Sequence, residues 1–201
     1  MKKSLILLFA LLAGSLAYAQ EPARYEVKSG IVKSIVDMGG QTSESTLYFD
    51  DYGRIQCSVE HMEMPGLGEW DAVTIIKDGI PHIINAYGKV QTIERRVDPN
   101  YLALTDEDIK AYKITEGGTE TVDGRECQVY NEELKQLGRK NIITVYVWKG
   151  IPVKTVIKRH GKVASTTTAR EILLDAPLPP DIFDIEATSA RLKAKNGDGG
   201  R

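Results

Sequence analysis

Cysteine, histidine and net positive charge are in short supply in this chain, and each shortage closes off a class of function. There are two cysteines, Cys57 and Cys127, and their separation fits neither a CxxC redox pair nor a thiolate zinc site. The histidines, His61, His82 and His160, lack metal-ligand spacing. No HExxH helix, GxSxG nucleophile elbow or phosphate-cradling glycine loop occurs. No catalytic constellation or cofactor signature is therefore legible, and a non-enzymatic protein is expected. Lys and Arg number 26 against 28 Asp and Glu, for a formal charge of −2. That balance argues against a nucleic-acid-binding surface, which needs a clustered basic excess. No apolar run approaches the roughly 20 residues of a membrane-spanning helix.

What apolar length there is lies at the start. Lys2 and Lys3 precede an apolar run over residues 5–13, and Ala17-Tyr18-Ala19 supplies the small residues a signal peptidase requires. The pattern predicts a signal peptide over residues 1–19, cleaved after Ala19, and an exported, periplasmic mature chain. No cysteine follows that cut to accept a lipid. Export makes a Cys57–Cys127 disulfide chemically possible, and closing so long a loop would be worth about 4 kcal/mol. Both cysteines fall in alternating apolar and polar runs, so both thiols are expected to face inward. Two buried thiols acting as small hydrophobes are the alternative.

Strand signals dominate the rest. Tyr25, Val27, Ile31 and Ile35 share one face of an extended run, with Gly30 as a bulge or bend. Residues 47–49 and 54–60 flank a turn at Asp50-Asp51-Tyr52-Gly53, and residues 73–77 and 81–85 flank Asp78-Gly79, so each pair reads as a hairpin. Further strands at 120–122, 125–130, 141–148, 153–159 and 163–174 are punctuated by Asp123-Gly124, Lys149-Gly150 and His160-Gly161. This is the grammar of an antiparallel meander. Residues 142–148 are apolar on both faces of one strand, which must be covered on both sides.

One helix is expected, from Asp106 to about Tyr112. Thr105 and Asp108 are spaced as a capping box, and Leu104 with Ile109 as a hydrophobic staple. The acidic run Asp106-Glu107-Asp108 is what a helix N-terminus favours and is not read as catalytic. Pro177, Pro179 and Pro180 end the last strand, after which Ile182, Phe183 and Ile185 form an apolar latch. Residues 187–201 read as a flexible, frayed tail, so the expected division is a leader, one β domain over residues 20–186, and the tail.

Two groups of residues invite a functional reading. His61, Met62 and Met64, with Cys57 nearby, gather soft ligands that suit monovalent copper; the bland reading is a loop over residues 60–70 whose methionines cover apolar surface. Tyr146 and Trp148, which share one strand face, and Trp70 are candidate walls of a ligand site, against the bland reading of core aromatics.

At Tyr146-Val147-Trp148-Lys149-Gly150-Ile151-Pro152-Val153-Lys154 the sequence resembles exported LolA-like bacterial proteins, in which a strand ending in tryptophan turns through a Gly-Ile/Leu-Pro corner. Leu47-Tyr48-Phe49 with Arg54, Ile76-Lys77-Asp78-Gly79, Pro177-Leu178-Pro179 and Ile182-Phe183-Asp184-Ile185 extend the resemblance over residues 24–186. It implies a mainly β (α+β) fold, a strongly curved antiparallel sheet or half-barrel with short helices packed in its concave face. It also implies a periplasmic carrier whose apolar cavity takes a lipid-like ligand or a lipoprotein. The alternatives are an envelope interaction or sensing module with a filled core and, lower, copper binding at His61, Met62 and Met64.

Overall fold

The computed structural model describes residues 22–64, 68–93, 98–136 and 139–197. The expected leader at 1–19 lies outside them. The described chain forms eleven strands: β1 (Gly30–Asp37), β2 (Thr42–Asp50), β3 (Ile55–Met64), β4 (Gly68–Lys77), β5 (Ile80–Ile84), β6 (Val90–Thr92), β7 (Thr115–Val122), β8 (Arg125–Gln136), β9 (Arg139–Trp148), β10 (Ile151–Arg159) and β11 (Lys162–Leu174). They make one curved, unclosed antiparallel sheet in the order β6-β5-β4-β3-β2-β1-β11-β10-β9-β8-β7. Only the β1–β11 pairing joins strands remote in sequence, and it ties two meandering arms together at the middle of the sheet.

The turns explain why the meander forms. Asp78-Gly79, Asp123-Gly124, Lys149-Gly150 and His160-Gly161 all have positive φ at both residues, between 47° and 81°. That backbone matches the right-handed twist of the flanking strands in a two-residue hairpin. Strand pairing closes directly on each of them, at Lys77–Ile80, Val122–Arg125, Trp148–Ile151 and Arg159–Lys162. The first expected strand is shorter than its apolar pattern suggested. Residues 24–28 bend across the end of the sheet, with Tyr52 accepting from the Arg24 and Tyr25 amides and Lys149 from that of Glu26. Gly30 is no bulge: a Cβ there would stand 2.8 Å from Cζ of Phe49, and the register slips at Lys33/Ser34 instead.

Side-chain alternation divides the sheet into an inner face, carrying Val32, Leu47, Gln56 and Val145, and an outer face, carrying Cys57, Ile75 and Tyr146. The connector between β6 and β7 packs on the inner face. Its helix α1 (Asp106–Tyr112) has the expected capping box, with Thr105 Oγ1 accepting from the Asp108 amide at 3.1 Å and Asp108 Oδ2 accepting from that of Thr105 at 3.2 Å. Leu104 joins Ile114, Tyr130, Val145 and Val147 in the core, while Ile109 remains 42% exposed, so the expected staple does not hold the helix. Tyr101 stacks on Tyr130 at 5.1 Å and fastens the connector to β8.

The expected frayed tail is largely a helix. Helix α2 (Ile185–Asn196) is capped by Asp184, which accepts from the Ala187 amide at 2.9 Å, and buries Thr188 and Leu192. With the latch residues Ile182 and Phe183 it covers the outer face at Cys57, Val73, Ile75 and Ile84. The helix is easy to overlook because its apolar stripe is confined to Ile185 and Leu192, and polar anchors supply the rest of its docking. Ser189 donates to the Gly88 carbonyl at 2.6 Å and Asn196 to that of Ala86 at 2.8 Å. The two helices therefore lie on opposite faces of the sheet. Cys57 and Cys127 are buried free thiols in separate core clusters, and burial pushes the Cys57 thiol up to about 12.

Candidate functional site

Strand β9 is covered on its inner face and half-buried on its outer one, where its doubly apolar pattern called for cover on both. Val145 and Val147 lie under the connector on the inner face, whereas Tyr146 and Trp148 turn outward onto the cluster of Cys127 and Ile151. Lys154 sits 5.0 Å from the Tyr146 ring centre, and Arg125 and Lys149 flank the Trp148 ring at 5.5 and 5.2 Å. Trp70 belongs to β4 and pairs with Met62 of β3, so it is a strand residue. None of these three expected ligand-wall residues lines the cavity described next. For Tyr146 and Trp148 the reason is the two-residue period of a strand, which gives the inner face to their odd-numbered neighbours.

The copper reading fails on the same geometry. Residues 60–64 are strand and not loop, so adjacent His61 and Met62 point to opposite faces. Cys57, four residues along, is about 13 Å from His61 in an extended chain. His61 serves another purpose: its Nδ1 lies 2.9 Å from Asp71 Oδ1, and Lys195 of α2 donates to Asp71 Oδ2 at 2.8 Å. The hydrogen bond to Asp71 raises the His61 pKa, burial opposes the rise, and the charges of Asp71 and Glu69 add to it. Because the folded state holds this proton more tightly than the unfolded chain, the contribution of His61 is complete below an unfolded pKa of about 6.5 and disappears as pH climbs through the higher folded value. His61→Gln should therefore lower the urea midpoint at about pH 5.5 and leave it unchanged at about pH 9. An equal loss at both pH values would show that the charge is irrelevant.

The inner face holds a half-open cavity of about 600 Å³ lined by both arms of the sheet and by the connector. Apolar walls come from residues such as Leu47, Ile76, Ile143 and Val145. The space exists because many positions between them are short. Ser34, Ser45, Ser58, Thr155 and Thr167 stand on the inner face where a packed core would place larger apolar groups. These residues were the missed signal. Short hydroxylated side chains recur at inner-face positions of β1, β2, β3, β10 and β11, a pattern that a search for aromatic walls passes over.

One part of the lining is polar and tightly organised. Tyr25, 4% exposed, donates to Gln56 Oε1 at 2.9 Å, and Gln56 donates onward to the Gly53 carbonyl at 2.8 Å. Arg24 donates to the Pro99 carbonyl at 3.1 Å, and Asn100 donates to that of Ala23 at 2.9 Å. Burial pushes the Tyr25 hydroxyl up to about 12, against the lowering effect of Arg24. Across the connector, the Tyr101 hydroxyl donates to Oε1 of Glu132, a β8 residue only 6% exposed. Burial raises the Glu132 pKa, the Tyr101 hydrogen bond opposes that rise, and the charge of Asp98 adds to it. Burial, followed by the neighbouring Glu132 charge, raises the Tyr101 pKa as well. The site thus combines a half-open apolar cavity with a few fixed polar groups, the usual make-up of a small-molecule pocket.

No protein-family model matches the chain, and no curated protein matches it in sequence. Solved structures are similar to it in fold. A chain of the Pseudomonas aeruginosa MucA/MucB complex is 15% identical at a TM-score of 0.52, over 81% of this chain and 56% of that one. An uncharacterized conserved protein from Thermus thermophilus is 11% identical at a TM-score of 0.52, over 78% and 83%. A putative outer membrane lipoprotein-sorting protein domain from Vibrio parahaemolyticus, 11% identical over 83% and 94%, has a TM-score of 0.31 and carries no argument. The chain spans little more than half of the matched Pseudomonas chain. These likenesses are consistent with the LolA-like fold that the sequence resemblance implies. At these identities the likeness is one of fold and leaves the ligand open. No helix among the described residues is long and apolar enough to cross a membrane.

Proposed function

We propose that this is an exported, periplasmic and non-enzymatic binding or carrier protein that shelters an apolar or lipid-like ligand on the inner face of its sheet. The observation that carries the reading is the cavity of about 600 Å³ between two arms of one curved sheet. Its volume falls within the roughly 300–1,000 Å³ of ligand sites, and its lining is mainly apolar. The predicted leader supports export, and the LolA-like fold is compatible with a carrier.

The test uses protein purified from its own host, as isolated for mass spectrometry and after delipidation for the add-back. Native mass spectrometry should find a co-purifying hydrophobic adduct, and a monoacyl lipid added back should raise the melting temperature in a concentration-dependent way, as a ligand selective for the folded state must. No adduct, together with no stabilisation by any acyl lipid, would end the carrier proposal.

A second reading, an envelope interaction or sensing module, is favoured by the fold likeness to a chain of the two-protein MucA/MucB complex. The sequence expectation attached a filled core to that module, and the cavity argues against that form of it.

A further inference from the structure

Charge is sparse in the cavity wall and unevenly divided. Among the described lining residues, two are acidic, Asp98 and Glu132, and one is basic, Arg24. The three are not equivalent. Arg24 is tied to the frame at the chain's start through one guanidinium nitrogen, which donates to the Pro99 carbonyl at 3.1 Å, and its buried Nε has no described partner. Glu132 comes from the middle of a strand, is 6% exposed, and has one described hydrogen-bond partner, the Tyr101 hydroxyl on Oε1. The groups facing Glu132 are Tyr101 and Asp98 of the connector, while its partner on β9 is the apolar Ile143.

Structure gains little from such a carboxylate. Removing an acid from water without a cation beside it is costly, and an apolar residue here would continue the wall formed by Leu134, Ile143 and Val145. A charged or strongly polar group held at this cost in a pocket otherwise built for hydrocarbon is suited to recognising the polar end of what fills it.

We infer that Glu132, held in place by Tyr101, is the headgroup anchor of the cavity and selects amphiphiles whose polar end is an ammonium over those ending in a carboxylate or phosphate. The inference rests on the carrier reading and adds the class of headgroup. The acyl chain lies along Leu47, Ile76, Ile143 and Val145, and the ammonium donates to Glu132 in a region of low dielectric, where an ion pair is stronger than in water. An anionic head meets two carboxylates, with Arg24 the one described cation in the wall to offset them.

Three amphiphiles of equal chain length separate the possibilities: dodecylamine, dodecanoic acid and the glycerol monoester of that acid, each below its micellar concentration with delipidated protein at neutral pH. The expected order is amine, then monoester, then acid, with amine and acid about tenfold or more apart. Glu132→Gln should bring amine and acid within about threefold of one another and leave the monoester nearly unchanged. A wild-type protein that binds all three equally, or the acid best, overturns the anchor and leaves the carrier reading standing, as does a variant that keeps the amine preference. Failure of all three to bind overturns both readings together. Should Glu132→Gln not fold, the wild type still decides the matter. Its preference for amine over monoester must shrink as pH falls and Glu132 takes up its proton, and a preference constant with pH refutes the assignment.

Discussion

Phe49→Ala is expected to lower stability by about 3–5 kcal/mol, the usual loss for deleting a large aromatic side chain from a packed core. Phe49 is fully buried, and its ring meets that of Tyr25 edge-on, with centroids 4.6 Å apart at 67°. It fills the junction where the bent start of the chain, β1 and β2 converge, so close to Gly30 that no Cβ is accommodated there. Removing it also leaves Tyr25 without support, and Tyr25 positions Gln56 in the cavity wall. For a chain of this size a loss of that magnitude lowers the melting temperature by roughly 10 °C, measurable by far-ultraviolet circular dichroism. A change of less than about 1 kcal/mol would mean that this junction collapses around the deletion.

Thr167→Trp should have the opposite profile, weakening binding by about 100-fold while stability stays within about 1 kcal/mol. Thr167 lies on β11 beside the middle of the sheet, paired with Val36 and Thr155, and its side chain faces the cavity. An indole there occupies space that the protein itself leaves unfilled. Displacing three or four methylenes of a bound chain, at about 0.8 kcal/mol each, accounts for a loss near 3 kcal/mol. Titration of the delipidated variant with the glycerol monoester, alongside a melting curve, checks both halves. Unaltered affinity would place the ligand elsewhere, and a large loss of stability would show that the cavity is too small to admit the ring.

Legibility differed between the fold and the site for a physical reason. Strands and turns follow rules that act over a few residues: Asp78-Gly79 and Lys149-Gly150 take positive φ in tight turns, and Thr105 with Asp108 caps a helix through its own backbone. Those elements stand where their sequences put them. Helix α2 was missed because its docking depends on Gly88, Ala86 and Asp71, about a hundred residues earlier in the chain, and not on a broad apolar stripe of its own. Tyr146 and Trp148 were singled out by size and shared face, but which face turns inward is fixed by the pairing of β9 with β8 and β10 and by the connector lying over Val145. Copper ligation at His61, Met62 and Met64 looked plausible only while residues 60–70 were taken as a loop; residues 60–64 are strand, and alternation sends adjacent His61 and Met62 to opposite faces.

The amino-acid order alone determined an antiparallel β-rich domain, its hairpin turns, its capped helix and the latch after the final strand, because each arises from local backbone preference and burial of alternate side chains. Tertiary structure decided that the serines and threonines of distant strands converge on one face and leave it unfilled, and that Glu132 meets Tyr101 inside. An empty volume belongs to no single segment. It is created by the curvature of the sheet and by the closure of β1 on β11, which brings together residues that no local pattern relates.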